Sequence, residues 1–438
     1  MKLSSGWKAF LILAFLAGFL LRTLNVEDME YKEDEQYHYT QSQVIGVSAP
    51  WPDVGIPSGA FIVNPGMSVW VFAALAKVTD AHTPTELARS VQLFALLGIL
   101  LLLAFTFRYI DPKDREPWFW AFALAMVNPI AILYQRKLWP EPFLPVFSML
   151  LLMGWWNRSK KGAAWIWGFF GAIIGQIHMS GFFLAGSLFL WTLAFSRPED
   201  RRATQWRYWV SGSVLGALPL IPWVQYLLAH PTHTSLENGF GEALQFKYWV
   251  FWISGAFGLH LGNTLGLLIG DSQWEQVSDF VRYPLIAGHA TYLVGLAHVG
   301  VIATMAWMTL NLVRFLEKTL TRDWRTWRDR IIGRESPLAF AQNSAFFGAG
   351  ILMEVLNLNI RRYYLSVVFP FEFLWLSRAA LRNNSQKPEP PGRKWLALLW
   401  LCQLVISAGF VYYVHVNQGS TRGDYGDAYH VVISKGKK

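Results

Sequence analysis

The stretch WKAFLILAFLAGFLLRTLNVEDMEYKEDEQYHY, residues 7–39, decides how the chain is read. Its first half, Trp7 to Leu24, is apolar and close to the roughly 20 residues that an α-helix needs to cross a hydrocarbon core. Its second half holds Glu27, Asp28, Glu30, Glu33, Asp34 and Glu35, in a chain with only 29 acidic residues among 438 and a net charge of +9. A span that opens onto such a cluster has two readings. One is a solvated juxtamembrane loop, which is what most charge runs are. The other is a carboxylate site at the bilayer surface. The rest of the sequence weighs between them.

Composition supports the membrane setting. Hydrophobic residues make up 53% of the chain and charged residues 15%, the balance of a polytopic membrane protein. Many of the 23 Trp and 16 Tyr stand beside the ends of apolar runs, where amphipathic rings favour the headgroup layer. The basic excess falls in alternate loops, as the positive-inside rule requires, and no basic stripe interleaved with aromatics suggests nucleic acid. The single cysteine, Cys402, lies in an apolar run, excludes an intramolecular disulfide and reads as packing.

Lys2 and Lys8 precede the first span, so its start is expected to be cytoplasmic. The run ends at Arg22-Thr23-Leu24-Asn25 without a small-x-small cleavage site, which favours a retained anchor over a signal peptide. Residues 25–84 are then a first extracytoplasmic loop. Within it 36–48 suits a short helix, and the i, i+3, i+4, i+7 spacing would set Asp34, Tyr37, His38 and Gln41 on one face. Prolines and glycines break up residues 50–64, and 66–79 reads as an interfacial helix too short to span. Thr83-Pro84-Thr85-Glu86 has the form of a helix start.

Apolar runs at 7–24, 86–110, 118–135, 143–156, 163–177, 180–195, 208–229, 284–313, 337–357, 363–381 and 395–416 predict an all-α bundle of about eleven spans. The N-terminus is inside and the tail, 417–438, outside. The apolar part of 231–283, residues 248–270, carries five glycines, a His and an Asn, and is read as extracytoplasmic with interfacial helices rather than as a span. The whole chain, 1–438, is one integral-membrane domain, expected in the inner (plasma) membrane of a bacterium.

In this register the unusual polar residues collect at the extracytoplasmic ends of four distant segments: Asp34 and Glu35; Arg136, Lys137 and Glu141; His178; and Arg361, Arg362 and Tyr363. Polar groups near membrane depth are costly and are functional candidates for that reason. Each has a plainer reading. Arg136 and Lys137 suit lipid headgroups, Glu141 suits a pair with Arg136, His178 suits a satisfied helix end, and Arg361-Arg362 suits snorkelling. Their joint placement raises the functional reading.

At this point the sequence resembles the polytopic GT-C glycosyltransferases, in particular the protein O-mannosyltransferase and lipid A aminoarabinose transferase branch. The resemblance is carried by Asp34-Glu35 after one hydrophobic helix, flanked by Tyr37 and His38-Tyr39. It continues through Asn64-Pro65-Gly66 leading into Trp70, Glu86-Leu87-Ala88-Arg89-Ser90 opening the second span, and Arg136 to Glu141 at the exit of the third. Arg362-Tyr363-Tyr364-Leu365 with Pro370 completes it. It covers most of 1–160 and 337–381. The large soluble domains of some relatives are absent.

The resemblance implies inverting transfer of a hexosyl or pentosyl group from a polyprenyl-phosphate donor to a glycan, lipid or protein acceptor on the extracytoplasmic face. Asp34 would be the general base, with Glu35 as support or alternate. Arg361 and Arg362, then Arg136 and Lys137, would neutralise the leaving phosphate. Glu141 would orient the acceptor or brace an arginine, with Tyr37, His38, His178 and Tyr363 around it. Asp34, Glu35, His38 and His178 lack a tight metal-ligand spacing, so neither a metal nor any other cofactor is predicted. The competing class is a transporter or lipid flippase whose carboxylates are coupling sites. On either reading Glu27, Asp28 and Glu30 are expected to remain solvated.

Overall fold

The computed structural model describes residues 4–57, 63–230, 246–259, 278–320, 324–356, 360–382, 391–419 and 425–436. The chain is a polytopic, predominantly helical membrane protein. Among the described residues six helices are long and apolar enough to cross a membrane: Ser5–Thr23 (α1), Pro84–Tyr109, Trp206–Ala229, Leu293–Phe315, Pro337–Val355 and Pro391–Asn417. Two bent pairs raise the number to eight.

The expected eleven spans are thus not confirmed among the described residues, where six to eight candidates stand, and local chemistry explains much of the difference. The run at 118–135 is two helices, Glu116–Val127 (α5) and Pro129–Gln135 (α6), bent by 54°. Pro129 has no N–H to continue α5, and the Asn128 side chain caps the new helix by accepting from Ala131 N at 3.0 Å. Arg362–Val368 and Phe371–Leu381 meet at 76° across Phe369-Pro370. The runs at 143–156, 163–177 and 180–195 form Leu144–Trp156 (α7), Lys161–Ile177 (α8) and Ser180–Phe195 (α9), of 13, 17 and 16 residues, short of a full crossing. Of the segment 248–270, Lys247–Phe257 is helical and 260–277 lies outside the described residues.

The exit of α1 is fixed by two arginines. Gly18 lets α1 approach α5 closely, since a Cβ there would lie 2.7 Å from Met126 O. Four residues on, Arg22 is buried and donates to Gly18 O, Ala125 O, Met126 O and Gln135 Oε1 at 2.5–3.0 Å. Arg136, just past α6, reaches the other way and donates to the carbonyls of Leu21, Arg22, Leu24 and Asn25 at 2.8–3.1 Å. The carbonyls of Leu21 and Arg22 are orphan acceptors of the helix C-terminus, where a cation is also favoured by the helix dipole. Asn25 then turns the chain through the left-handed region at φ 50°, and the acidic stretch leaves in a fixed direction.

Beyond it lies a compact polar layer. Glu33–Val44 (α2) and Met67–Thr79 (α3) pack together. Between them an antiparallel ribbon, Val54–Pro57 (β1) with Val63–Pro65 (β2), occupies the stretch where prolines and glycines exclude a helix. Thr83 and Glu86 form the capping box of Pro84–Tyr109 (α4), as that sequence predicts.

The tail closes this layer. Tyr31 N donates to Asp427 O at 3.2 Å and Tyr429 N to Met29 O at 2.9 Å, beside a bridge between Glu30 and Ala428. This overturns the expectation that Asp28 and Glu30 are solvated: they are 3% and 1% exposed. Asp28 pairs with His415 at 2.8 Å, and Glu30 with Lys137 and, at 2.6 Å, with Lys32. Gly426 N donates to Glu30 at 2.8 Å. A carboxylate survives such burial only when paired and hydrogen-bonded.

Candidate active site

Five segments distant in sequence meet around one cavity of about 300 Å³. Asp34 and His38, one turn apart on α2, form one side, with Ser68 of α3 and the ribbon residues Ile56, Pro57 and Asn64 beside them. Trp139, Pro140 and Glu141 come from the turn between α6 and α7. His178 to Ser180 come from the junction of α8 and α9, Trp223 from Ile221–Ala229, and Tyr363 and Tyr364 from beyond the last of these. The ribbon is held in place by Asn64 donating to Ile56 O at 2.9 Å and by Trp223 donating to Val63 O at 2.8 Å.

Asp34 lies in the first turn of α2 and opens into this space. Burial, then the neighbouring Glu30, holds its carboxyl above the ordinary carboxylate range. A carboxylate that is more basic than usual is a better proton acceptor while it remains ionised. His38 stacks on Phe72 with ring centres 4.6 Å apart, and burial pushes its pKa down to about 4. It faces the cavity as a neutral imidazole at ordinary pH.

Glu141 is the other carboxyl of the lining. Burial pushes it up to about 8, and its Oε2 is buried with no hydrogen-bond partner among the described residues. Its Oε1 stands 3.6 Å from His178 Nε2. Burial lowers His178 to about 4, and its other nitrogen meets Ser180 Oγ at 2.7 Å. The pair is thus a neutral acid beside a neutral imidazole rather than a salt bridge, and Glu141 is available as a hydrogen-bond donor. The expected partnership of Glu141 with Arg136 does not form, because Arg136 is engaged at the end of α1.

Glu141 also lines a second groove of about 70 Å³, where Phe251, Trp252, Phe369 and Phe373 stand beside the polar groups of Asn128, Gln135 and Glu372. Arg362 lies in the wall of this groove, its guanidinium 5.5 Å from the centre of the Phe251 ring. The two spaces therefore share one side chain: the larger chamber holding Asp34 lies on one side of Glu141, and a smaller groove bearing Arg362 on the other.

The remaining candidates lie farther out. Glu35 does not line the chamber. Its Oε2 accepts from Lys32 N at 3.0 Å in the cap of α2, and burial with the nearby Glu30 raises its pKa to about 7. Tyr37 packs against Ile45, Val69 and Ala73, so of the predicted α2 face only Asp34 and His38 reach the cavity. Lys137 pairs with Glu30 and lies 4.1 Å from the centre of the Trp139 ring. Arg361 is exposed. Tyr364, Ser68 and Trp223 join the lining without having been expected as site residues. Tyr364 was legible as the neighbour of Tyr363. Trp223 carries no local signal, since only its long-range bond to Val63 brings it in. No group of three or more His, Cys, Asp or Glu side chains suited to a metal ion occurs among the described residues.

No protein-family model matches the chain, and no curated protein matches it in sequence. Among solved structures it is similar to ArnT from Cupriavidus metallidurans bound to undecaprenyl phosphate. Identity is 12% over 95% of this chain and 79% of that one, with a TM-score of 0.46. It is also similar to the archaeal oligosaccharyltransferase AglB from Archaeoglobus fulgidus in complex with an inhibitory peptide and a dolichol-phosphate. There identity is 14% over 97% of this chain and 56% of that one, with a TM-score of 0.44. The oligosaccharyltransferase from the same organism in its apo form gives 14% identity, 93% and 56% coverage, and a TM-score of 0.48. Both proteins are glycosyltransferases of the GT-C class, the class that the sequence resembles. Likenesses this distant transfer no residue's role to this chain.

Proposed function

We propose that the protein transfers a sugar from a polyprenyl-phosphate donor to an acceptor at the extracytoplasmic membrane face, with inversion at the anomeric carbon. The observation that carries this reading is the joining, at Glu141, of a chamber holding the Asp34 carboxylate to a groove holding the Arg362 guanidinium. Such a donor carries a sugar and a phosphate, and the two spaces would offer a carboxylate beside the one and a guanidinium beside the other. The donor phosphate would lie beside Arg362 and Arg361, and the sugar would enter the chamber.

The reaction is one displacement. The acceptor oxygen attacks the anomeric carbon and its proton passes to an Asp34 oxygen. The bond from that carbon to the phosphate oxygen breaks, and its electron pair leaves with the phosphate. Guanidinium groups suit the departing charge because their donors match phosphate oxygens bidentately. Protonated Glu141 would donate a hydrogen bond to the sugar or the acceptor from the chamber wall. Glu35 supports Asp34 indirectly by fixing the start of α2. Arg136 and Lys137 hold the walls, and their share in phosphate binding is through the field they add.

Purified protein in nanodiscs, supplied with a radiolabelled polyprenyl-phosphate sugar, tests the reading. Release of polyprenyl phosphate that disappears in Asp34→Asn, with folding retained, supports it. An intact donor together with solute movement across reconstituted vesicles would establish the transporter class instead.

A further inference from the structure

We infer that the acceptor attacks through a neutral hydroxyl group and not through a phosphate oxygen; this rests on the transfer reaction proposed above. The first observation is the charge of the chamber. Its described lining includes two carboxyl groups, Asp34 and Glu141, and two histidines, His38 and His178, but neither a lysine nor an arginine.

Apart from exposed Arg361, the nearby cations are already placed. Lys137 is paired with buried Glu30, and Arg136 donates to four carbonyls at the end of α1. Arg362 lies in the neighbouring groove, where the donor phosphate requires it. A second phosphate, brought in as acceptor, would face Asp34 and the donor's own phosphate with no lysine or arginine in the described lining of the chamber to balance it. Like charges brought together in a half-buried site repel strongly, and a site for an anion is normally lined by arginine or lysine.

The second observation is the proton. A hydroxyl must lose one as its oxygen bonds to carbon, and Asp34 is the open carboxylate in the chamber that can take it. An ionised phosphate oxygen has no proton to lose, so an acceptor of that kind would leave Asp34 without a task while suffering its repulsion. The walls agree with an uncharged guest. Trp139, Trp223, Tyr363 and Tyr364 offer flat faces suited to a sugar ring or an alkyl stem, and Asn64 and Ser68 add uncharged polar groups.

The experiment follows donor consumption by the protein in nanodiscs. Polyprenyl-phosphate hexose is offered with water alone, with neutral hydroxyl probes (methyl glycosides and Ser- or Thr-containing peptides), and with the same probes bearing a phosphate monoester. The expected result is transfer to neutral probes at least tenfold faster than to their phosphorylated forms, lost in Asp34→Asn. Transfer to a phosphate oxygen at an equal or greater rate, shown by a glycosyl-phosphate product, overturns the inference and leaves the transfer reaction standing. Neither transfer nor hydrolysis of the donor in any mixture overturns the reaction and the inference with it. Saturation-transfer NMR gives a reading free of chemistry: the neutral glycoside should bind more tightly than its phosphate, and Asp34→Asn should narrow the gap. Tighter binding of the phosphate by the unaltered protein also overturns it.

Discussion

Glu30 and Asp34 stand four residues apart in one acid run, and the fold treats them in opposite ways. Glu30 is sealed under the tail, paired with Lys137 and Lys32 and hydrogen-bonded by Gly426. Asp34 opens into the chamber with burial and Glu30 raising its pKa. One carboxylate organises the wall and the other faces what enters it. A charge run is thus not one feature. Neighbouring acids acquire different chemistry according to which long-range partner reaches each first, and the satisfied one tunes the free one through its field.

The comparison breaks most sharply at Asp34. Asp34→Asn should lower the rate of transfer by about 10²- to 10⁴-fold, the usual worth of a positioned general base, while leaving the thermal midpoint in detergent nearly unchanged. A variant that retains activity removes the base from the mechanism. Glu30→Gln should do the reverse and act first on stability. It strands buried Lys137, which typically costs about 3–5 kcal/mol. The double variant Glu30→Gln/Lys137→Met should recover much of that loss. A Glu30→Gln protein as stable as the original would show that the pair does not hold the wall.

Glu141 sharpens the comparison through pH. Its folded pKa of about 8 lies above the ordinary 4.5. Between these values the folded state holds a proton that the unfolded state has released, so this group makes stability fall as pH rises from about 4.5 to about 8. Glu141→Gln should flatten that limb, read as the difference between the two stability-against-pH curves. An identical slope in both proteins would mean that Glu141 is ionised in the fold. The smallest effect is expected at Tyr425, whose hydroxyl donates to Asp28 O at 2.6 Å under the tail. Tyr425→Phe should cost about 1 kcal/mol, seen as a small fall in midpoint with transfer unaffected. A large loss of transfer would tie the tail directly to the chamber.

Much of this was legible where the signal is local. The first apolar run, the helix at 67–79 and the Thr83–Glu86 cap follow from length, periodicity and capping chemistry, and each lies where those rules put it. Asp34 and His38 were found together because i, i+4 spacing is a property of a helix, not of a fold. The failures share another cause. Arg136 and Lys137 are cations at a loop, and sequence gives no reason to prefer a lipid phosphate over helix carbonyls more than a hundred positions away. Asp28 and Glu30 read as solvated because their cover lies almost 400 residues downstream. The break at Asn128-Pro129 is a local signal, yet an apolar run on both sides of it reads as one span until the 54° bend is seen.

The bridge between Glu30 and Ala428 has a consequence for how the protein is made. A membrane protein is inserted in the order in which it is translated, so the first loop emerges with its acids uncovered and keeps them so while every intervening helix is threaded. Only when residues 425–429 arrive can Glu30 receive the backbone donor of Gly426, and the wall behind Asp34 close. A chain halted shortly before that point would contain every residue of the chamber and still lack the seal beside it.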